Sequence, residues 1–157
     1  AVAAVAFSLT VLTLMDRWTV DSFTSRPEDV PGVPDGIPEY ARRHDAEDVR
    51  GLLRLVREGA FYVPGESNAR MLEDLENACR LSLLHGIGTD NARRLIASGV
   101  ESVEELAASE ERDVTAALRQ VGEEGWRPRP RRVAEWIRAA RHEAPAAALT
   151  RIETIAQ

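Results

Sequence analysis

The sequence predicts an all-α fold, and three observations carry that prediction. Apolar residues recur at helical spacing, as in Val49, Leu52, Leu53 and Val56 and again in Val133, Trp136, Ile137 and Ala140. No stretch shows the alternation of apolar and polar residues that marks a half-buried strand. Glycine and proline fall mainly between the periodic segments, where they act as breaks.

At 157 residues the chain is long enough for one substantial core or for two small subdomains. Hydrophobic residues make up 44% and charged residues 29%, the balance of a globular protein and not of a disordered one. The net charge of -6 argues against a chain that coats nucleic acid by bulk charge, so any such contact must be local. Every basic side chain other than histidine is arginine. Cys79 stands alone, which rules out an intrachain disulfide and a cysteine-based zinc cluster. Among Leu75, Ala78 and Leu83 it reads as a small buried thiol.

The chain opens with Ala1 to Met15, fifteen apolar or small residues without a charge. That run is shorter than the roughly 20 residues of a membrane-spanning helix, and no basic region precedes it as in a signal peptide. We read 1-23 as a buried apolar helix first and as a truncated membrane helix second. Residues 24-38 carry Pro27, Pro31, Pro34 and Pro38 with Gly32 and Gly36, the composition of a linker or surface loop.

A helical segment follows over 39-80. One helix is expected from Ile37 to His44 and a second from Ala46 to Glu58, with Asp45 as its N-cap and Gly59 at its end. Phe61 to Gly65 forms a short extended link, and Ser67 is placed to cap a helix carrying Met71, Leu72, Leu75 and Ala78. That helix runs into Leu81 to Leu84. Beyond residue 100, Ser102 and Glu105 have the spacing of a capping box. Ser109 is expected to cap a helix through Val114, Ala117, Leu118 and Val121. A final helix spans about Arg131 to Arg141, and 143-157 reads as a tail.

Between these helices lies Leu84-His85-Gly86-Ile87-Gly88-Thr89-Asp90-Asn91-Ala92-Arg93-Arg94-Leu95. Two glycines let the backbone turn sharply, and Ile87 between them can pin the turn to the core. The amides that open the next helix, at the positive end of its dipole, suit a phosphate oxygen. Asp90 opposes such a ligand.

This stretch resembles the helix-hairpin-helix family, whose pattern is met by Leu84, Gly86, Ile87, Gly88, Ala92 and Leu95. The continuation from Ile96 through Gly99, Val100 and Leu106 also looks like that family. The resemblance implies a helical bundle followed by a helix-hairpin-helix domain over 81-142, and a module that grips the backbone of duplex or branched DNA without reading bases. Thr89 and Asp90 depart from it, standing where DNA-binding members often carry Lys or Arg. Leu81 to Ala140 is similar to a small helix-hairpin-helix domain family of bacteria and archaea. A looser similarity is to the carboxyl-terminal part of archaeal Ski2-like repair helicases, which implies a motor domain elsewhere in the parent protein.

The carboxyl-terminal third divides by charge. Arg127, Arg129, Arg131, Arg132, Arg138 and Arg141 stand against Glu135 alone, after an acidic stretch from Glu101 to Glu124. Prolines stiffen the Arg-Pro-Arg-Pro-Arg-Arg run and splay its guanidinium groups, which suits phosphate contacts. The plainer alternative is pairing with the acidic stretch. Trp136 follows the core pattern, and Trp126 reads as a plug at the helix junction before it reads as a base-stacking surface.

The candidate nucleic-acid contacts are therefore Gly86, Ile87, Gly88, Asn91, Arg93, Arg94, Arg127, Arg129, Arg131 and Arg132. His44, His85 and His142 have no metal-ligand or triad spacing. We expect no catalytic residue, metal, cofactor or small-molecule substrate. The expected function is a cytoplasmic, non-catalytic, sequence-nonspecific DNA-binding module accessory to a larger DNA-processing protein. The alternative is a protein-protein interaction module on the same hairpin, with the N-terminal apolar segment as a membrane tether.

Overall fold

A computed structural model describes residues 25–61, 66–122 and 126–155. The expected helix over 1-23 lies outside the described residues. Seven helices follow a 3-10 turn at Pro27–Asp29: α1 (Ile37–Arg43), α2 (Val49–Arg57), α3 (Glu66–Leu83), α4 (Gly88–Ala97), α5 (Val103–Ala108), α6 (Glu111–Val121) and α7 (Pro130–Ile155). The fold is all-α, with no strand among the described residues.

Two apolar cores share α3. The first gathers Val30, Ala41, Leu52, Val56 and Phe61 around Leu75, Ala78 and Cys79 of α3. The second gathers Ile87, Leu95, Leu106, Leu118, Val133, Trp136 and Ile137 around Leu81 and Leu84. The division expected after residue 80 therefore falls inside one continuous helix. Near its end α3 is buried on every side, since Ala78, Cys79, Arg80, Leu81 and Ser82 are all inaccessible. Such a helix is a core element, not an amphipathic surface one.

Several local expectations are corrected. Pro27, Val30 and Pro31 are buried, so the proline-rich stretch lies on the first core and is not a free linker. Asp48, not Asp45, caps α2, its carboxylate accepting from the Gly51 amide at 2.7 Å. Asp45 instead takes a left-handed φ of 57° after α1, and the Ala46 amide donates back to the Ala41 carbonyl at 2.9 Å. This closing geometry buries Ala41 and Ala46 together and uses up the residue that the sequence offered as a cap. Ser67 falls within α3, whose first residue is Glu66. Ser109 ends α5 and does not start α6: its hydroxyl donates to the Glu105 carbonyl at 2.7 Å, and Glu110 is the N-cap of α6. The stretch read as a tail continues α7 to Ile155.

The Ser102 cap forms as expected, its hydroxyl accepting from the Glu105 amide at 3.1 Å. The reciprocal bond is shifted by one residue, because the Glu105 carboxylate accepts from the Glu101 amide at 2.7 Å. Among the described residues no helix is long and apolar enough to cross a membrane.

Cys79 is fully buried in the first core. Desolvation pushes its thiol from an ordinary 9.0 up to about 12, with Glu76 adding to the rise and Arg57 opposing it. The native pKa lies above the unfolded one, so this contribution to stability is complete below pH 9 and is lost between about 9 and 12. Between pH 8 and pH 10 we expect the thiol to remove about 1.4 kcal/mol of stability. Urea unfolding of the protein and of Cys79→Ala at both pH values measures it. An equal pH slope in the two proteins would contradict the assignment.

Candidate functional site

The site is built on the turn between α3 and α4. Gly86 has φ 79° and Gly88 has φ 68°, left-handed values at which a side chain is strained by about 1–3 kcal/mol. The Ile87 amide donates to the Leu84 carbonyl at 3.0 Å, and the Ile87 side chain is 3% exposed. The turn is tight and anchored in the second core. His85, just before it, is exposed.

Two side-chain hydrogen bonds then fix the turn, one long-range and one local. The indole of Trp136, from the second turn of α7, donates to the Gly86 carbonyl at 2.8 Å. The Asn91 amide donates to the Ile87 carbonyl at 2.7 Å, while its oxygen faces Arg94 at 3.4 Å. Arg94 in turn lies over the Trp126 ring, 4.7 Å from its centroid. Trp126 is half-buried and packs on the second core, so it plugs the junction between α6 and α7 as expected. It leaves no room at Gly122, where a Cβ would stand 2.8 Å from the ring.

These contacts bring the start of α7 against the start of α4. Between them opens a cleft of about 280 Å³, lined by Asn91, the segment from Trp126 to Arg129, Arg132 and Trp136. Arg127, Arg129 and Arg132 are exposed at its mouth, while Pro128 is buried beside it. None of the described lining residues is acidic. Arg129 precedes α7, and the first turn of that helix holds Arg131 and Arg132 but no acidic residue. Positive side chains at the positive end of a helix dipole oppose the helix they begin.

The structure thus gathers Gly86, Ile87, Gly88, Asn91, Arg94, Arg127, Arg129 and Arg132 into one region. It separates two residues from that set. Arg93 turns away toward the N-terminal stretch, pairing with Asp90 at 3.4 Å and donating to the Asp29 carbonyl at 3.1 Å. Arg131 is 93% exposed and pairs with Glu135 one turn along α7 at 3.4 Å. Asp90 is itself engaged by Arg93 and lies outside the cleft lining. Arg141 belongs elsewhere: its guanidinium donates to the Ala107 and Ser109 carbonyls at the end of α5. Trp136 and Pro128 are cleft residues that the sequence offered only as core and as stiffener. Their roles depend on where α7 meets α4, which no local pattern encodes.

Among the described residues no group of three His, Cys, Asp or Glu side chains could hold a metal ion. The fold and the cleft define a small all-α domain with a cationic, aromatic-walled recess beside a two-glycine turn. The chain belongs to the family described as "Domain of unknown function (DUF4332)", matched over residues 58–143, more than half of its length. That span reaches from the end of α2 into α7 and includes the turn and the whole cleft. No curated protein and no solved structure gives a significant match.

Proposed function

We propose that the unit formed by α3, the glycine turn and α4 is a helix-hairpin-helix, and that the domain is a non-catalytic module holding the DNA backbone without reading sequence. The observation that carries this reading is the cleft, where Arg127, Arg129 and Arg132 meet Asn91 beside the turn without an acidic neighbour among the described lining residues. Arginine side chains at the opening of α7 oppose its dipole, a local cost that a bound anion would offset. On an acidic chain this is a local basic site of the kind that backbone contact requires. With about three phosphates contacted the affinity is weak near physiological salt, which fits an accessory module of a larger DNA-processing protein.

Fluorescence anisotropy on duplex and forked DNA at several salt concentrations tests the reading. The slope of log K against log salt should be about 0.9 per contacted phosphate, near 3 in all for the duplex. Arg127→Gln/Arg129→Gln/Arg132→Gln should flatten that slope, whereas Arg131→Gln should leave it nearly unchanged, and base sequence should have no effect. Absence of binding at low salt would overturn the proposal in favour of a module that contacts protein.

A further inference from the structure

We infer that the groove between the proline-rich stretch, α3 and the end of α4 docks a protein segment carrying an apolar side chain next to an arginine or lysine. This goes beyond the DNA-binding reading and does not rest on it, because groove and basic cleft share no described lining residue.

The groove has a volume of about 540 Å³, against about 280 Å³ for the basic cleft. Its floor is apolar: Pro31 and Ala78 are buried, while Met71 and Ile96 are partly open. Ile96 packs against both cores and still keeps some exposure. Apolar surface of this kind gains by being covered.

Length favours a peptide. Arg70, Met71, Asp74 and Ala78 line the groove from α3, so it follows that helix for about 12 Å at 1.5 Å per residue. An extended chain covers that distance in about four residues.

Charge selects the kind of peptide. Asp74 and Glu101 stand exposed at the rim, with Arg70 as the one basic residue of the described lining. Among the described residues neither carboxylate is held in an ion pair. Ile96 lies in the last turn of α4, so the negative end of that helix dipole adds to the two carboxylates. A long basic side chain satisfies both features, its stem on the apolar floor and its charged head at the rim.

The place of the groove leaves the cleft open. Asn91 of the cleft and Ile96 of the groove point about 140° apart around α4. A DNA strand and a protein segment can therefore be held at once.

The test begins with selection of a phage-displayed random dodecapeptide library on the full chain. Recovered sequences should place an apolar residue within about four positions of Arg or Lys. Fluorescence anisotropy of the labelled peptides then compares the parent with Asp74→Asn/Glu101→Gln, two changes at exposed positions. The double variant should weaken the peptides at least about threefold at low salt and less at high salt, and should leave DNA affinity within about twofold. A photo-reactive Met71→p-benzoylphenylalanine should cross-link the bound peptide. Absence of enrichment, enrichment without a basic residue, or indifference to the double variant overturns the inference. Cross-linking to a second copy or to residues 1-23 gives the groove to that occupant and overturns it as well.

Discussion

Trp136→Ala is expected to destabilise the protein by about 3–5 kcal/mol, the range for truncating a large buried aromatic side chain. The indole is 2% exposed and lies in the second core with Leu81, Leu95 and Leu106. It also supplies the donor that holds the Gly86 carbonyl across 50 residues of sequence. Trp136→Phe separates the two contributions, because it keeps most of the apolar contact and removes the donor. Gly86 is only half-buried, so water can replace the lost bond, and we expect Trp136→Phe to cost about 1–2 kcal/mol. Urea unfolding measures both. A Trp136→Ala cost below about 1 kcal/mol would show that the α7 contact does not support the turn. Under the proposed function Trp136→Phe should also weaken DNA binding several-fold, since it loosens the turn from the arginine segment without touching an arginine.

Glu104→Ala is expected to cost about 3 kcal/mol, more than Arg80→Met at its partner position. Arg80 is 2% exposed, and both terminal nitrogens of its guanidinium donate to the Glu104 carboxylate, at 3.1 and 2.8 Å. Its Nε is buried without a hydrogen bond, the nearest carboxylate oxygen being that of Glu143 at 3.8 Å. Removing Glu104 leaves a buried charge with only that distant carboxylate. Replacing Arg80 with Met keeps much of its packing and removes the charge, while Glu104 and Glu143, each roughly half exposed, regain water. Denaturation of the two variants decides the order. If Arg80→Met proves the more damaging, the fork is worth more than the desolvation of the guanidinium.

The periodic segments were legible because burial on one face leaves a period-3.6 record in the chain. Val49, Leu52, Leu53 and Val56 line α2, and Val133, Trp136, Ile137 and Ala140 line α7, as their spacing indicates. The glycine turn was legible for a different reason. Left-handed backbone at Gly86 and Gly88 excludes nearly every other residue, so the conformation is written in composition. Arg80 was not legible. A charged residue in a helix reads as a solvated face, and only the placement of α5 and α7 around α3 supplies the carboxylates that let it be buried.

The same division runs through the candidate site. Sequence alone determined the all-α class, the turn, the buried Ile87 and Cys79, and the concentration of arginine before the last helix, because each is fixed by local sterics, periodicity or composition. Tertiary structure decided which arginines lie together. Arg127, Arg129 and Arg132 share the cleft, while Arg131 faces Glu135 and Arg93 reaches Asp29. Side chains adjacent in sequence leave a helix about 100° apart, so neighbours in a basic run point to different surroundings. Only the packing of α7 against the turn, fixed by Trp136, selects which of them face α4.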